Sequence, residues 1–321
     1  MARMGATGGR TAARGTPSAG GVVLVASVVG LVGFLFPFLL PLVPGGGAAG
    51  ERDQAAGAPL IFAAVTGLSL LAIVVDLGGR DRRRGVSASK TVALLGVLVA
   101  IDAALRLAPT FLGASPVFAL ILLAGATFGA AFGFQMGALT LLVSAFLTGG
   151  VGPWLPYQML GAGWVGLTAG WLPRPASARR RLLLLAALGG VWGLLYGALL
   201  NLSFWPFTAP GAGVEAGLGW VPGLGFGETL TRYGTFYLAT SLAHDLARAA
   251  GNVVLVLALG GPALRVLERY RRRFAWEPWE AGRATTDPPP APGPGGAGVP
   301  AGPHAIPAPA GPARRAPGLP R

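Results

Sequence analysis

Cysteine is absent from this 321-residue chain, and lysine occurs once, at Lys90. Without cysteine there are no disulfides, no thiolate metal ligands and no cysteine nucleophile. His244 and His304 are the two histidines, so a multi-histidine metal site is excluded, and we expect no metal and no other cofactor. Only 12% of the residues are charged, which is about half the share in a soluble domain. Since long apolar runs take their place, the composition predicts an integral membrane protein.

Most of the positive charge falls in four stretches. Arginines stand in the N-terminal arm, at Arg80–Lys90, at Arg174–Arg181 and after Arg265. Cytoplasmic loops of membrane proteins collect arginine and lysine, whereas external loops do not. Topology and contact with anionic lipid therefore explain the net charge of +13, and we expect no nucleic-acid partner. The pattern predicts a multi-pass protein of the plasma membrane with both termini in the cytoplasm.

The apolar runs define the spans, because a helix needs about 20 apolar residues to cross the hydrocarbon. Six single spans are predicted: Val22–Val43, Pro59–Leu77, Thr91–Ala108, Leu155–Leu172, Leu182–Phe204 and Tyr233–Gly260. The run Pro116–Thr148 would measure about 50 Å as one straight helix, which is too long for a single crossing.

Loop charges decide how often Pro116–Thr148 crosses. A single pass would put Arg174–Arg181 outside and the arginine-poor loop 205–231 inside, against the charge rule. Two passes, over roughly 116–131 and 133–148, restore agreement at every loop. Each pass is short, so two short spans and a re-entrant hairpin fit equally well. The prediction is an all-α membrane protein of about eight transmembrane helices, with two N-terminal helices within 22–78 and a six-helix core over 91–273.

Small residues recur every fourth position in two places. Gly125, Gly129, Gly133 and Gly137 surround the predicted break in the long run. This spacing lets helix backbones approach closely, so we interpret these glycines as tight packing plus a sharp turn. A second ridge on the third span consists of Gly96, Ala100 and Ala104. It serves either internal packing or the docking of another membrane protein.

The two ends of the chain differ from the spans. Residues 1–21 form a basic arm, and residues 277–321 form a tail rich in proline, glycine and alanine. Neither has enough aromatic or branched side chains to bury a core. Both are predicted to be disordered cytoplasmic segments.

Aromatic and amide side chains gather in the predicted external loops. The candidates for ligand contact are Trp154, Tyr157, Gln158, Asn201 and Trp205. Such side chains form suitable walls for a mostly apolar ligand with some polar edges. The competing interpretation is that tryptophan and tyrosine are enriched at membrane interfaces in general.

Polar residues inside the spans need partners, because an unpaired charge there costs several kcal/mol. Asp102 and Arg106 lie four residues apart on one helix face, a spacing that lets them pair. Arg106 would stand near the external end, within reach of a ligand carboxylate or phosphate. The last span carries His244, Asp245, Arg248 and Asn252. The spacing of Asp245 and Arg248 predicts a self-neutralised pair that locks this helix into the bundle, with contact to a substrate or partner subunit as the alternative.

Catalytic motifs are missing. The segment GVSASKT at Gly85–Thr91 lacks the second glycine of a phosphate loop and precedes a span, so the chain cannot drive transport with ATP by itself. Two other functions stay open. One is an intramembrane enzyme that uses His244, Asp245 and Arg248. The other is a stand-alone proton-coupled transporter with Asp102 or Asp245 as the proton carrier, although no inverted repeat supports it.

Two segments, Val117–Pro173 and Tyr237–Leu267, resemble the substrate-specific S component of energy-coupling factor (ECF) transporters. The first contains a Gly-Pro-Trp turn followed by Gln158. The resemblance covers about Thr91–Arg273 and extends to the number of spans, the short central pair and the cytoplasmic ends. The two N-terminal spans and the proline-rich tail depart from the six-helix minimum of this family.

The resemblance implies a transport subunit without enzymatic activity. S components bind a vitamin or similar micronutrient at their outward end. They dock through small residues of the first core helix onto a transmembrane coupling (T) subunit that carries two ABC ATPases, and are thought to topple in the membrane to release the ligand. Gly96, Ala100 and Ala104 match the docking motif by spacing, with glycine in place of the first alanine.

No shared motif carries the ligand contacts over, so the candidates rest on position: Trp154, Tyr157, Gln158, Asn201, Trp205 and Arg106. A tryptophan-rich pocket with amides and few charges suits a large, mostly neutral ligand. We expect cobalamin or another corrinoid.

Overall fold

The computed structural model describes residues 19–39, 88–108, 115–205, 217–221 and 224–274, with single positions between 60 and 75. Within these ranges all regular structure is helical, which confirms the predicted all-α class. The helices are α1 (Ala19–Leu39), α2 (Ala88–Leu105), α3 (Val117–Phe128), α4 (Ala130–Thr148), α5 (Leu155–Trp171), α6 (Ala178–Phe204), α7 (Phe226–Thr240) and α8 (Leu242–Phe274). Most of the predicted span Pro59–Leu77, residues 1–18 of the predicted arm and the predicted tail lie outside the described residues, whereas residues 19–21, assigned to the arm, form the start of α1.

The described helices have the length and surface of a membrane bundle. Three of them, α4, α6 and α8, are long and apolar enough to cross a membrane, and α1 and α3 contribute shorter apolar segments. The 27 residues of α6 measure about 40 Å, more than the hydrocarbon thickness of about 30 Å. Val191 on α6 and Val254 on α8 stand 57% and 62% exposed on the outer surface. Since the outside of the bundle is itself apolar, lipid is its natural solvent.

The bundle has two chemically different ends. Arg181 stands in the first turn of α6, and Trp205 follows the last turn of the same helix. Because α6 is long, these residues lie at opposite ends. The end that carries Arg174 and Arg181 is called the arginine end below, and the end that carries Trp205 is called the aromatic end. Helices α2, α4 and α6 run from the arginine end to the aromatic end, while α3, α5 and α8 run back.

The long apolar run breaks at Gly129. Its φ of 107° lies in the region that residues with a side chain rarely adopt, so glycine ends α3 there and lets α4 begin at the next residue. The predicted boundaries, roughly 116–131 and 133–148, were therefore wrong by three residues at the break. The first pass, α3, has 12 residues, or about 18 Å, whereas α4 has 19 and is long enough to span.

The remaining glycines of this ridge pack helices together, as predicted. A Cβ added at Gly125 or at Gly133 would overlap the backbone carbonyl of Gly166 on α5. Gly137 meets the carbonyl of Ala162 in the same way. Helices α3, α4 and α5 therefore touch backbone to backbone, a contact that only residues without a side chain permit.

A second glycine seam joins α6 to α8. Gly193 leaves no room for a Cβ against the backbone of Ala249, and Gly197 leaves none against the carboxylate of Asp245. The prediction of one span over Tyr233–Gly260 was wrong at both ends, because the helix breaks at Ser241 and α8 continues to Phe274. The extension past the apolar run is held by an ion pair between Arg181 and Glu268.

Helix α1 packs onto the outer side of α5. The indole Nε1 of Trp164 donates to Ser27 Oγ at 3.0 Å. About two turns further along α1, the ring of Phe34 lies edge-on to Tyr157, with 5.0 Å between the ring centroids. Val22, Val23 and Ala26 of α1 are also buried. This N-terminal helix is therefore an integral part of the described bundle.

We expect Gly133→Ala to destabilise the bundle by about 1–3 kcal/mol, because the added methyl group collides with the α5 backbone. Gly234→Ala on α7 is the matched control, since nothing lies within 4 Å of a Cβ there. Thermal unfolding of the detergent-purified chain measures both variants. Equal unfolding temperatures for the two would show that the close approach of α4 and α5 is absent.

Candidate functional site

The candidate site lies at the aromatic end, between α2, α4 and α5. Arg106, just past the end of α2, donates through Nη1 to Ser144 Oγ at 2.9 Å and through Nη2 to Gln158 Oε1 at 3.3 Å. Ser144 belongs to the last turn but one of α4, and Gln158 to the first turn of α5. The end of α2, α4 and α5 thus converge on one guanidinium.

The predicted pairing of Asp102 with Arg106 was wrong. Among the described residues neither oxygen of the Asp102 carboxyl has a hydrogen-bond partner, and the residue is 0% exposed. The hydroxyl of Thr140 on α4 lies beside it, without the alignment of a full hydrogen bond. The physical reason is packing: α2 and α4 run side by side in the same direction. Asp102 therefore faces Thr140, while Arg106, one turn later, faces Ser144.

Tyr157 and Trp154 lie close together in sequence but in different surroundings. Tyr157 is 1% exposed against Phe34 of α1, and its hydroxyl has no partner among the described residues. Trp154 is 50% exposed, and its Nε1 donates to the carbonyl of Gly150 in its own turn. Tyr157 is thus an interior residue of the site, whereas Trp154 stands at its outer edge.

Trp205 and Asn201 hold α6 against the start of the last helical pair. The side chain of Trp205 is 0% exposed and donates to the carbonyl of Leu218 at 2.6 Å. It lies at 5.3 Å from the ring of Tyr233 on α7, centroid to centroid, and at 6.2 Å from Phe38 of α1. Asn201 donates through Nδ2 to Ser241 Oγ at 2.6 Å, at the break between α7 and α8. These two candidates therefore join α6 to α7 and to the break between α7 and α8.

The polar residues of α8 form the seam with α6. Arg248 pairs with Asp245 at 2.5 Å, as their spacing predicts, and donates to the carbonyl of Gly193 at 3.2 Å. Its guanidinium also lies over the ring of Tyr196, 5.5 Å from the centroid. Asn252 is fully buried and donates to the carbonyl of Gly189 at 2.9 Å. Every one of these contacts joins α8 to α6, apart from the ion pair within α8.

His244 does not join that cluster. It is exposed, whereas Asp245 beside it in sequence is 2% exposed and bound to Arg248. Asn252 faces the α6 seam, whereas His244 faces away from the packed interior. Among the described residues no cluster of three histidine, aspartate or glutamate side chains is placed to hold a metal ion.

The small-residue ridge of α2 faces outward. Gly96, Ala100 and Ala104 are exposed, and a Cβ added at Gly96 would meet nothing within 4 Å. The opposite side of α2, with Leu95, Leu98 and other buried residues, packs mainly on α4. Of the two interpretations of this ridge, the described contacts leave it open to a partner outside the bundle.

The arginine end ties the loop between α5 and α6 to the core. Arg174 Nε and Arg181 Nη2 donate to the same carbonyl, that of Ala126 on α3, at 3.1 and 3.2 Å. Burial and the neighbouring charges of Arg271 and Arg181 lower the pKa of Arg174. An apolar groove opens at this end between α1 and the helices α4, α5 and α6, and Trp164, Trp171 and Trp192 line it.

Several site residues were missed by sequence reasoning. Ser144, Ser241 and Phe34 carry no signal in an apolar helix, because only the tertiary contact shows their part. The glycines of the α6–α8 seam could have been predicted from the sequence, since Gly189, Gly193 and Gly197 repeat the four-residue spacing seen in α3 and α4.

These features define a helical membrane protein with a polar site buried at one end and a bare small-residue face along one helix. A family model described as the substrate-specific component of ECF transporters matches residues 90–260, more than half of the chain. The chain belongs to this family. No curated protein and no solved structure matches it.

The family match confirms the resemblance found in the sequence. The matched region begins near the start of α2 and covers α3 to α7 and most of α8. Helix α1 precedes it. Members of the family are transport subunits, so the enzymatic alternative built on His244, Asp245 and Arg248 was wrong. At this level the chain is a substrate-binding subunit of the membrane that works with a T component and ATPases.

We expect Asp245→Asn to cost about 3–5 kcal/mol of stability, since it leaves the buried charge of Arg248 without its partner. Asp102→Asn is the matched change at a carboxyl without an ion pair and should cost no more than about 1 kcal/mol. Unfolding temperatures in detergent compare the two. A larger loss for Asp102→Asn than for Asp245→Asn would contradict the described pairing.

Proposed function

We propose that this chain captures a vitamin or related micronutrient at the aromatic end and passes it inward through a T subunit with two ABC ATPases. The aromatic end then faces the outside, and both termini lie in the cytoplasm. The arginine distribution supports this orientation, because Arg174, Arg181 and the last turns of α8 stand at the opposite end.

The observation that carries the proposal is the convergence of polar groups at the aromatic end. Arg106 and Gln158 form a partly buried hydrogen bond, and the buried hydroxyl of Tyr157 has no partner among the described residues. Polar groups kept within a membrane bundle generally mark a substrate path or binding site. Asn201 and Trp205 stand at the same end, against Ser241 and Tyr233, and belong to the proposed ligand contacts.

A corrinoid such as cobalamin is the ligand we propose to test first. The support is the number of large aromatic rings at the aromatic end, with Trp154 exposed at the edge and Trp205 packed against Tyr233. Aromatic walls with a few fixed polar groups suit a large ligand of this kind.

Docking is proposed to use the outward ridge of α2. Small residues let a partner helix approach the α2 backbone closely, which compensates for the lack of a hydrophobic driving force inside a bilayer. Gly96, Ala100 and Ala104 form such a face without contacts to the rest of the described bundle.

We expect Ala100→Trp to abolish uptake of the ligand while its binding to the purified chain stays intact, because the bulky ring blocks the partner helix. Val191→Trp, at an equally exposed apolar position on α6, is the matched control and should keep both activities. Uptake by cells and binding to purified protein are measured for each. Normal uptake with Ala100→Trp would show that this ridge is not the docking face.

A further inference from the structure

Arg106 differs from the other arginines of the aromatic end in having no carboxylate partner. Arg232 pairs with Glu228 at 2.8 Å, and Arg248 pairs with Asp245 at 2.5 Å. In the part of the chain that the structure describes, Arg106 contacts only neutral groups, Ser144 and Gln158. A guanidinium is always charged, so this end of the bundle holds one positive charge that no described residue neutralises.

The contacts of Arg106 fix its position without using up its donors. A guanidinium has five N–H groups, and the two described hydrogen bonds occupy two of them. The hydroxyl of Ser144 and the amide of Gln158 come from different helices, so the planar group is held in one orientation. No other described residue occupies the remaining donors, which suit a planar, multidentate partner such as a carboxylate or a phosphate.

The direction of Arg106 argues against simple contact with lipid headgroups. An arginine that snorkels to the bilayer surface extends away from the bundle. Arg106 instead reaches across to α4 and α5, and both of its hydrogen bonds are partly buried. A partly buried positive charge attracts an anion more strongly than one in bulk water.

The position of Asp102 shows that Arg106 is left without a carboxylate partner even though a carboxylate is close in sequence. Asp102 stands four residues earlier, in the last turn of α2, a spacing at which a carboxylate can pair with an arginine. Yet it stays buried beside Thr140 with both oxygens free. The two side chains are kept apart by the packing of α2 on α4, which leaves the guanidinium available.

We propose that Arg106, held by Ser144 and Gln158, binds an anionic group of the transported ligand, a carboxylate or a phosphate. This inference rests on the proposed function and names the chemical class of its substrate. A corrinoid that carries a phosphate meets the requirement, and so does a small carboxylic acid vitamin.

The test uses pairs of ligands that differ in the anionic group alone. The full chain in detergent is titrated with nicotinate and nicotinamide, pantothenate and panthenol, biotin and biotin methyl ester, pyridoxal phosphate and pyridoxal, and with cobalamin. We expect an anionic probe to bind more tightly than its neutral counterpart, or cobalamin to bind. We expect Arg106→Gln to weaken that binding by about tenfold to a hundredfold, the effect of one charge-assisted hydrogen-bonded contact.

Two variants separate ligand contact from structure. Arg106→Lys keeps the charge and should retain part of the affinity, whereas Arg232→Gln removes an arginine of the same end that is already paired and should change nothing. Unfolding temperatures of the unliganded variants verify that each chain is folded.

Three results would overturn the inference. In the first, the neutral member of a pair binds as tightly as the acid. In the second, the affinity of Arg106→Gln equals that of the original chain, while its content of bound phospholipid falls, which would assign Arg106 to a lipid headgroup. In the third, no anionic probe binds although the chain assembles with its ATPases. Failure to assemble at all would instead contradict the proposed function.

Discussion

The direct contact of three helix backbones at Gly125, Gly133 and Gly166 is the constraint on which the candidate site depends. Inside a bilayer there is no hydrophobic force to press helices together, so close packing must supply the stability. The missing side chains let α3, α4 and α5 meet at their backbones. Further along α4 and α5, Ser144 and Gln158 come near enough to share the guanidinium of Arg106. The packing of the glycines therefore sets the geometry of the polar site.

Close packing at glycines also holds α6 against α8, but the charged residues there pair with each other. The α6–α8 seam also relies on glycines, but Asp245 and Arg248 neutralise each other there and Asn252 satisfies a backbone carbonyl. Among the described residues both regions keep buried polar atoms without hydrogen-bond partners, Asp245 Oδ2 and Asn252 Oδ1 in the seam, and the Asp102 carboxyl and the Tyr157 hydroxyl near Arg106. They differ in charge balance, since Arg248 has a carboxylate partner, whereas Arg106 contacts neutral groups. The contrast separates the part that holds the fold from the part suited to a ligand.

The sequence was informative where a single local rule decides the outcome. Hydropathy predicted the spans, arginine placement supplied the loop parity, and a glycine was correctly expected at the sharp turn, which lies at Gly129. It failed where neighbouring helices choose the partner: the i, i+4 spacing of Asp102 and Arg106 permitted a pair that the packing on α4 prevents. The helix break at Ser241 was missed, and so was the continuation of α8 to Phe274. A hydropathy window ends where the apolar residues end, so it does not detect a helical extension that is held by an ion pair. The contact of Phe34 with Tyr157 could not be predicted, because nothing in the sequence of α1 shows which ring Phe34 will face.

Affinity purification of the tagged chain from its native membrane, in mild detergent and with mass spectrometry of the eluate, tests the account most directly. Substrate-specific components work with a T component and ATPases, so the account predicts that a coupling membrane subunit and ABC-type ATPases elute with this chain. Elution of the chain alone from intact, well-solubilised membranes would contradict it.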